Sequence, residues 1–594
     1  MQKKVVEKWN LEEIVANDKW QEYVNQVKKE IEKKVPEWWK KLRPEMEADG
    51  FKKIEEEMED LGEKLRRLGS KPELLLALNS KNQEAMKIKS QISDLFLDYN
   101  QKVRKISHFL MGKKVEEKDI LDDKNACRLF RTIPDLEYQL NYSRMAAKYV
   151  LEQKEEEIID HKDVSGIEAL EDLRGIIENE FNFKFKTKGE KEKIIKTQGE
   201  ILSYSHSPKR AEREAAYRGL LTKQKENIEK FFVIFQAAVK NWDYETKVRG
   251  YKSPISMRNF ANQVPDKAVE ALMDVCQKER GVFEGYFKFK AKELGLLKFD
   301  RFDVYAPLNS KDKKINLDEG IEIVMAALGE FSAGFKTRGE QIIKESHVDS
   351  EIKNNKRSGA FCMTISPKIT PYVMLNYNNK IRDVFTLAHE LGHGIHSLYA
   401  NHHYPSSQHA TLPLAETAST LAEMIVFEKL YNQEKDIKIK KSLLANKLAD
   451  SYATILRQNY FVLFEIRAHE AISKGITAKD LGLMWLETLR EQFGKSVQVD
   501  SIFQYEWSYI PHIVESPFYC YAYNFGELLS FALFARYKKE GRVFIPKIET
   551  ILKSGGSKNP NEVLKDVGID MTSTSFWKSS FEIIKDWQKT LTGL

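Results

Sequence analysis

The chain has 594 residues, too many for one ordinary core at roughly 100–200 residues per domain. Its 42% hydrophobic and 31% charged residues describe a folded globular protein and exclude a disordered or membrane-spanning one. With 95 basic and 89 acidic residues the net charge is +6, and the signs are mixed along the chain, as in EKKVPEWWKKLRPEMEADG. That pattern reads as solvated helix faces and not as a nucleic-acid-binding stripe.

The opening, MQKKVVEKWN, has basic residues with no apolar run behind them, so no secretory leader is expected. Helical texture follows at once. LEEIVANDKWQEYVNQVKKEIEKKV and FKKIEEEMEDLGEKLRRLG repeat apolar residues three and four apart, and Pro36 and Pro44 are expected to break the run between them. SKNQEAMKIKSQISDLFLDYNQKVRKISHFL, LEYQLNYSRMAAKYVLEQKEEEIID and GIEALEDLRGIIENEF continue as helices. No repeat of 20–50 residues marks a solenoid. Near FNFKFKTKGEKEKI the texture alternates, and a domain edge is placed here, giving residues 1–190 and 191–594.

Helices resume at SPKRAEREAAYRGLLTKQKENIEKFF, with Ser207 and Pro208 as the start. FFVIFQAAV is the best apolar run and falls far short of the ~20 residues a membrane span needs. One stretch reads as β: KRSGAFCMTISPKITPYVMLNYNNKIRD, residues 356–383, punctuated by Gly359, Pro367 and Pro371. Towards the end, KSGGSKNPNEVLKDVGIDM is a Gly-rich turn before a short helix, without the lysine and hydroxyl residue of a phosphate cradle. Four cysteines, Cys127, Cys276, Cys362 and Cys520, lie far apart with no C-x-x-C, which argues against a disulfide framework and for a reducing, cytoplasmic location.

Directly after the β stretch comes TLAHELGHGIHSLYA, with His389, Glu390 and His393 in the pattern H-E-x-x-H. On a helix the two imidazoles share one face a turn apart and can reach one zinc ion. Glu390 beside them can take a proton as general base. Gly392 and Gly394 each cost a helix up to ~1 kcal/mol, which makes sense if a partner or substrate backbone must pass close by. The metzincin pattern is excluded, since His396 and Tyr399 stand where it requires Gly and His. A third ligand can come from the next helix, LAETASTLAEMIVFEKLY, which Pro413 helps to start. Glu416 sits there among Ala and Thr. It is read either as the third zinc ligand or as a carboxylate favouring the helix N-terminus. Glu423, on the same face two turns on, can accept the free N–H of a ligand histidine. Asp383 can orient a ligand histidine or cap the helix, and capping is favoured. His396, His402, His403 and His409 are expected on the surface or in loops, with no metal role.

NYNNKIRDVFTLAHELGHGIHS, LAETAST, HIVESPFYCYAYNFG and LKSGGSKNPNEVLKDVGIDM together resemble the zinc oligopeptidases of the thimet oligopeptidase family, and most closely their oligoendopeptidase F branch. The resemblance implies a mostly α, two-lobed helical zincin of the neurolysin-like kind, with a small β-sheet beside the H-E-x-x-H helix and a deep substrate channel that the N-terminal part walls. It implies one Zn2+ per chain held by His389, His393 and Glu416. It also implies hydrolysis of internal bonds in short unstructured peptides by water activated by zinc and Glu390. The expected partners are peptides, with no nucleic acid and no membrane.

Peptide hydrolysis passes through a tetrahedral oxyanion that a phenol or imidazole can stabilise opposite a metal. His512, Tyr519, Tyr521 and Tyr523 supply such donors in one short stretch. The spacing from His512 to the tyrosines differs slightly from that of the branch, so which tyrosine serves is left open. The β stretch can pair with an extended peptide along an edge, with Ser358, Gly359, Ala360 and Phe361, and also residues 372–375, as candidates. Cys362 and Cys520 read as small buried hydrophobes, with a thiol-sensitive activity as the alternative. Two other functions stay in view: a zinc carboxypeptidase or dipeptidase of similar helical build, and a non-catalytic peptide-binding helical protein.

Overall fold

The computed structural model describes residues 9–308 and 313–594. The expectation about a leader falls largely on residues 1–8, outside the described residues. Among the described residues, no helix is long and apolar enough to cross a membrane. The chain is mostly helical, with two small sheets among the described residues, and it divides into two compact units, each assembled from three stretches of sequence.

The first unit gathers Met1–Lys148, Lys313–Lys429 and Arg536–Ile569. Its long helices Trp20–Lys41, Ala48–Leu78 and Gln83–Leu110 follow the predicted periodicity. Val27, Ile31, Val35 and Trp38 recur at three- and four-residue steps and are all buried, so one stripe of the first helix faces the core. The helix begins only at Trp20; Leu11, Ile14 and Val15, expected as its first turns, are buried in the irregular chain before it. Nor does Pro36 break it. An interior proline costs a helix ~3 kcal/mol, and burial of Val35 and Trp38 on either side, with Trp38 Nε1 donating to Glu57 at 2.7 Å, offsets that cost. Pro44 does lie in the connection to the next helix.

A three-stranded sheet in this unit runs in the order Val348–Asp349, Tyr372–Met374, Phe361–Met363. It lies directly before the helix Ile381–Tyr399, as the sequence predicts. The outer pair is antiparallel, Phe361 opposite Met374 and Met363 opposite Tyr372. Trp9, Leu11, Ile14 and Val15 pack with Leu74, Tyr372 and Met374 into one cluster that Phe361 joins. The N-terminal segment therefore underlies the sheet that reaches the site.

The second unit gathers Tyr149–Asp312, Leu430–Ala535 and Asp570–Leu594. In it the alternating stretch near residue 190 is a hairpin, Phe183–Phe185 antiparallel to Lys193–Ile195, which straddles the 190/191 edge drawn from sequence. The segment expected as one helix over 136–160 is two, Pro134–Ala146 in the first unit, which starts at a proline, and Gln153–Ser165 in the second, which starts at a capping box of Glu152 and Glu155. A fully buried pair, Arg301 and Glu506, joins at 2.6 Å in this unit's interior. The Gly-rich turn near the C-terminus does lead into a short helix, Pro560–Asp566, which belongs to the first unit.

Candidate functional site

The helix Ile381–Tyr399 buries Val384, Leu387, Leu391, Ile395 and Leu398 along one stripe. That leaves His389 and His393 partly exposed on the adjoining face, their rings 4.9 Å apart. Asp383 accepts the backbone N–H groups of Asn378 and Lys380 at 2.7 and 2.9 Å, so it caps this helix and does not orient a histidine. Gly392 is where the next helix, Thr417–Gln433, crosses: a Cβ there would lie 2.5 Å from Ser419 Cα and 2.7 Å from Ala418 O. The backbone that passes close to Gly392 is thus the chain's own, where a partner or substrate backbone was expected. Gly394 instead faces side chains, with Ile342 Cδ1 at 2.5 Å and Cys362 Sγ at 3.6 Å from a Cβ placed there.

This close crossing delivers Glu416, at the break between the short helix Leu412–Ala415 and Thr417–Gln433. Its Oε2 lies 3.3 Å from His389 Nε2 and 3.4 Å from His393 Nε2. Ligand atoms of the three residues all fall within 4.8 Å of one another. The other ring nitrogen of His389, Nδ1, faces Glu423 Oε2 at 3.5 Å. Ser419 Oγ donates to Glu416 Oε2 at 2.8 Å, a contact that no motif in the sequence announces.

The electrostatics follow from this crowding. Burial disfavours a proton on His389, but hydrogen bonds to Glu416 and Glu423 outweigh it and raise the imidazole to about 10. Burial also pushes Glu416 up, and hydrogen bonds from His389 and His393 outweigh that, holding its carboxyl far below the usual range. The trio is organised around positive charge, which a divalent cation supplies in exchange for protons. Two imidazole nitrogens and one carboxylate are a donor set that suits catalytic zinc and leaves a position open. Glu390 behaves oppositely. It is buried, and burial pushes its carboxyl up against the pull of His389 and His393.

These groups open into a cavity of about 390 Å³ within the first unit. Ala360, Phe361 and Cys362 form one wall and His389, Glu390, His393 and Glu416 another. Of the residues expected to hold substrate, Ala360 and Phe361 line this cavity, while Ser358 and Gly359 sit on an exposed turn beside it. Among the described residues Phe361–Met363 is an edge strand with one partner strand; Tyr372–Met374 is the central strand, paired on both sides, so it offers no edge. His396 is buried in the cavity wall and not on the surface, because its place on the helix faces the short helix that precedes Glu416. His409 also lines the cavity. His403 pairs with Asp135, and its Nε2 meets Lys553 O at 2.6 Å. Burial and the nearby Glu390 charge push the Cys362 thiol up, which makes it a poor nucleophile.

In the second unit, Tyr523 Oη meets His512 Nε2 at 3.4 Å, and the Tyr519 ring lies 6.0 Å from His512 and 5.2 Å from Tyr523. The structure does not bring Tyr521 to this group. It is fully buried, and its Oη accepts a hydrogen bond from Asn262 Nδ2 at 2.7 Å. Phe518, just before Tyr519, has φ +58°, a left-handed conformation that costs an aromatic residue ~1–3 kcal/mol. It is held there by two contacts: its N–H donates to the buried Glu465 at 2.7 Å, and Arg258 Nε donates to Pro517 O at 2.9 Å.

An H-E-x-x-H helix with a glutamate from the following helix focused on the same point defines a metallopeptidase of the two-histidine, one-glutamate class. The chain belongs to peptidase family M3, whose description matches residues 203–583. It is 29% identical to an oligoendopeptidase F homolog of Lactococcus lactis subsp. lactis over 76% of this chain and 75% of that one. It is 27% identical to an oligoendopeptidase F homolog of Borreliella burgdorferi over 98% and 96%. In fold it is similar to the crystal structure of oligoendopeptidase-F from Enterococcus faecium, with a TM-score of 0.71, 21% identity and 97% and 99% of the two chains covered.

Proposed function

We propose that this metallopeptidase is a zinc-dependent endopeptidase that cuts internal bonds of short, unstructured peptides. The observation that carries the reading is the convergence of His389, His393 and Glu416 within 4.8 Å, with Glu390 buried at the next position. His389, His393 and Glu416 would hold one zinc ion. Bound there, zinc polarises the scissile carbonyl and makes water a nucleophile near neutral pH. Glu390 takes the proton from the attacking water and delivers it to the leaving amine; its raised affinity for a proton suits both halves of that task. Glu423 fixes the tautomer of His389 by accepting its Nδ1–H.

The outer side of Phe361–Met363 is assigned to the main chain of an extended peptide, a mode of pairing that tolerates many side chains. His512, with Tyr523 and Tyr519, is the donor set assigned to the developing oxyanion. Residues 1–190 contain none of these groups, and we assign them to shaping the approach of substrate. All four cysteines are free, which suits a reducing, cytoplasmic setting.

The test is mass spectrometry of a peptide pool, from a few residues to a small folded protein, incubated with and without a chelator. Internal cuts confined to short peptides and abolished by the chelator are expected. Stepwise loss of terminal residues would move the reading to an exopeptidase, and binding without cutting to a peptide carrier.

A further inference from the structure

The His512 donor group has a neighbour that the catalytic reading leaves unused. Between the helices Ile437–Ser451 and Gln458–Ser473 the chain winds through a π-turn, Tyr452–Arg457. Such wide turns displace a side chain from the regular ladder and recur at functional sites. Arg457 is the last residue of this one. Its Nη1 donates to Tyr305 Oη at 3.1 Å, and its Nη2 faces Glu506 Oε1 at 3.4 Å.

That carboxylate oxygen is already engaged. Arg301 Nη2 donates to it at 2.6 Å and Tyr509 Oη at 3.1 Å. Arg301 and Glu506 are both fully buried and are joined through Nη2 and Oε1, so the single carboxylate charge is already matched by one guanidinium, while Arg301 Nε and Glu506 Oε2 find no hydrogen-bond partner among the described residues. Two guanidiniums thus share one carboxylate, and the other groups that face them are neutral rings: the phenols of Tyr217, Tyr305, Tyr452 and Tyr509, with Phe461 under Arg457 at 5.0 Å and Phe503 under Arg301 at 5.3 Å. One positive charge is left over. It falls on Arg457, whose side chain is 21% exposed against 1% for Arg301.

Arg174, which also acts on His512, makes the contrast: it has two carboxylates of its own, Glu178 at 2.8 Å and Glu515 at 2.9 Å. Arg457 is close enough to act electrostatically on both His512 and Cys520, the residue after Tyr519. Arg258 acts on Cys520 as well, but its Nε donates to Pro517 O at 2.9 Å and its guanidinium lies 5.2 Å from the Trp242 ring. A largely buried cation without a matching anion is costly, and a guanidinium presents a fork that fits a carboxylate with two parallel hydrogen bonds.

We infer that Arg457 anchors a carboxylate of the peptide substrate, beside the His512, Tyr519 and Tyr523 donors. The inference rests on the peptidase reading. The carboxylate has two possible sources, the peptide's C-terminus and an acidic side chain.

Three versions of one fluorescent peptide separate them: a free C-terminus with a neutral interior, the same peptide amidated, and the amidated peptide carrying one glutamate. Binding is read by anisotropy to full-length, zinc-loaded Glu390→Gln protein, alone and combined with Arg457→Met or Arg457→Lys. The free acid is expected to bind about 10- to 100-fold more tightly than the amide. The ratio should collapse towards one with Arg457→Met and survive in part with Arg457→Lys. Tighter binding of the glutamate peptide alone would assign the carboxylate to a side chain. Equal affinity for all three peptides in the Glu390→Gln parent, or equal loss of all three with Arg457→Met, overturns the inference and leaves Arg457 a member of the buried network. If Arg457→Met fails to fold, the parent ratio and Arg457→Lys still decide. Failure of zinc-loaded wild type to cut any of the peptides would count against the peptidase reading instead, and the binding ratios would still judge Arg457.

Discussion

The Nδ1 atom of His389 lies 3.5 Å from Glu423 Oε2, while Nε2 of the same ring faces Glu416. One imidazole thus has a carboxylate on each side, and the proposed orienting role of Glu423 can be tested. Glu423→Ala should weaken metal binding about 10- to 100-fold without abolishing it, whereas Glu416→Ala should cost far more. Competition with a graded set of chelators measures both. Equal affinities in wild type and Glu423→Ala would remove the orienting role.

Gly392 is a point of close approach between the helix that carries His389 and His393 and the helix that begins just after Glu416. Its alanine variant would place a methyl 2.5 Å from Ser419 Cα, backbone that cannot swing away. We expect a loss of about 1–3 kcal/mol in denaturant melts together with weaker metal binding, because Glu416 moves with that helix. Gly394→Ala meets the flexible end of Ile342 and should be milder. Reversal of that order would mean that the crossing is looser than the distances state.

Glu390→Gln should keep the metal and lose nearly all turnover, since the amide cannot accept the proton. Metal content by elemental analysis and turnover of a quenched peptide are the two readings. Substantial activity in a metal-loaded sample would move the general base elsewhere.

The two tyrosines of YAY should separate cleanly. Tyr523→Phe removes the hydroxyl that meets His512 and should lower kcat about 10²-fold or more with KM little changed. Tyr521→Phe leaves the buried Asn262 amide without its acceptor and should cost about 1–3 kcal/mol of stability, with kcat near wild type. A kcat loss confined to Tyr521→Phe would reverse the assignment.

Burial pushes the Glu465 carboxyl up to about 8, over the opposing Phe518 N–H bond and Arg258 charge. The unfolded chain titrates near 4.3. Between those values the folded protein holds the extra proton, so this group's contribution is complete below about 4.3 and is lost as pH rises through 8. Denaturant melts from pH 5 to 8 should show wild type losing stability more steeply than Glu465→Gln. Parallel curves would mean that Glu465 stays ionised.

Much of the site was legible because it is local. His389 and His393 stand one turn apart on any helix, and the apolar stripe from Val384 to Leu398 shows that TLAHELGHGIHSLYA is one. Capping by Asp383 and the sheet before the helix follow from equally short-range signals. The single helix expected over 136–160 failed for the complementary reason: periodicity continues across a break that only capping geometry reveals.

By itself, then, the sequence determined the helix, the metal-binding face, the candidate base and the cluster of phenols. Tertiary structure alone decided which distant groups meet them. Glu416 reaches His389 and His393 because Gly392 lets two backbones touch. Pro36 stays inside a helix because the core around Val35 and Trp38 outweighs its lost hydrogen bond. Among the described residues Tyr372 has strands on both sides, while Phe361 lies on an edge strand. Tyr521 points into the core and Tyr523 towards His512, although both read alike in YAY. Burial and pairing are properties of what lies across from a residue, and no spacing along the chain encodes that.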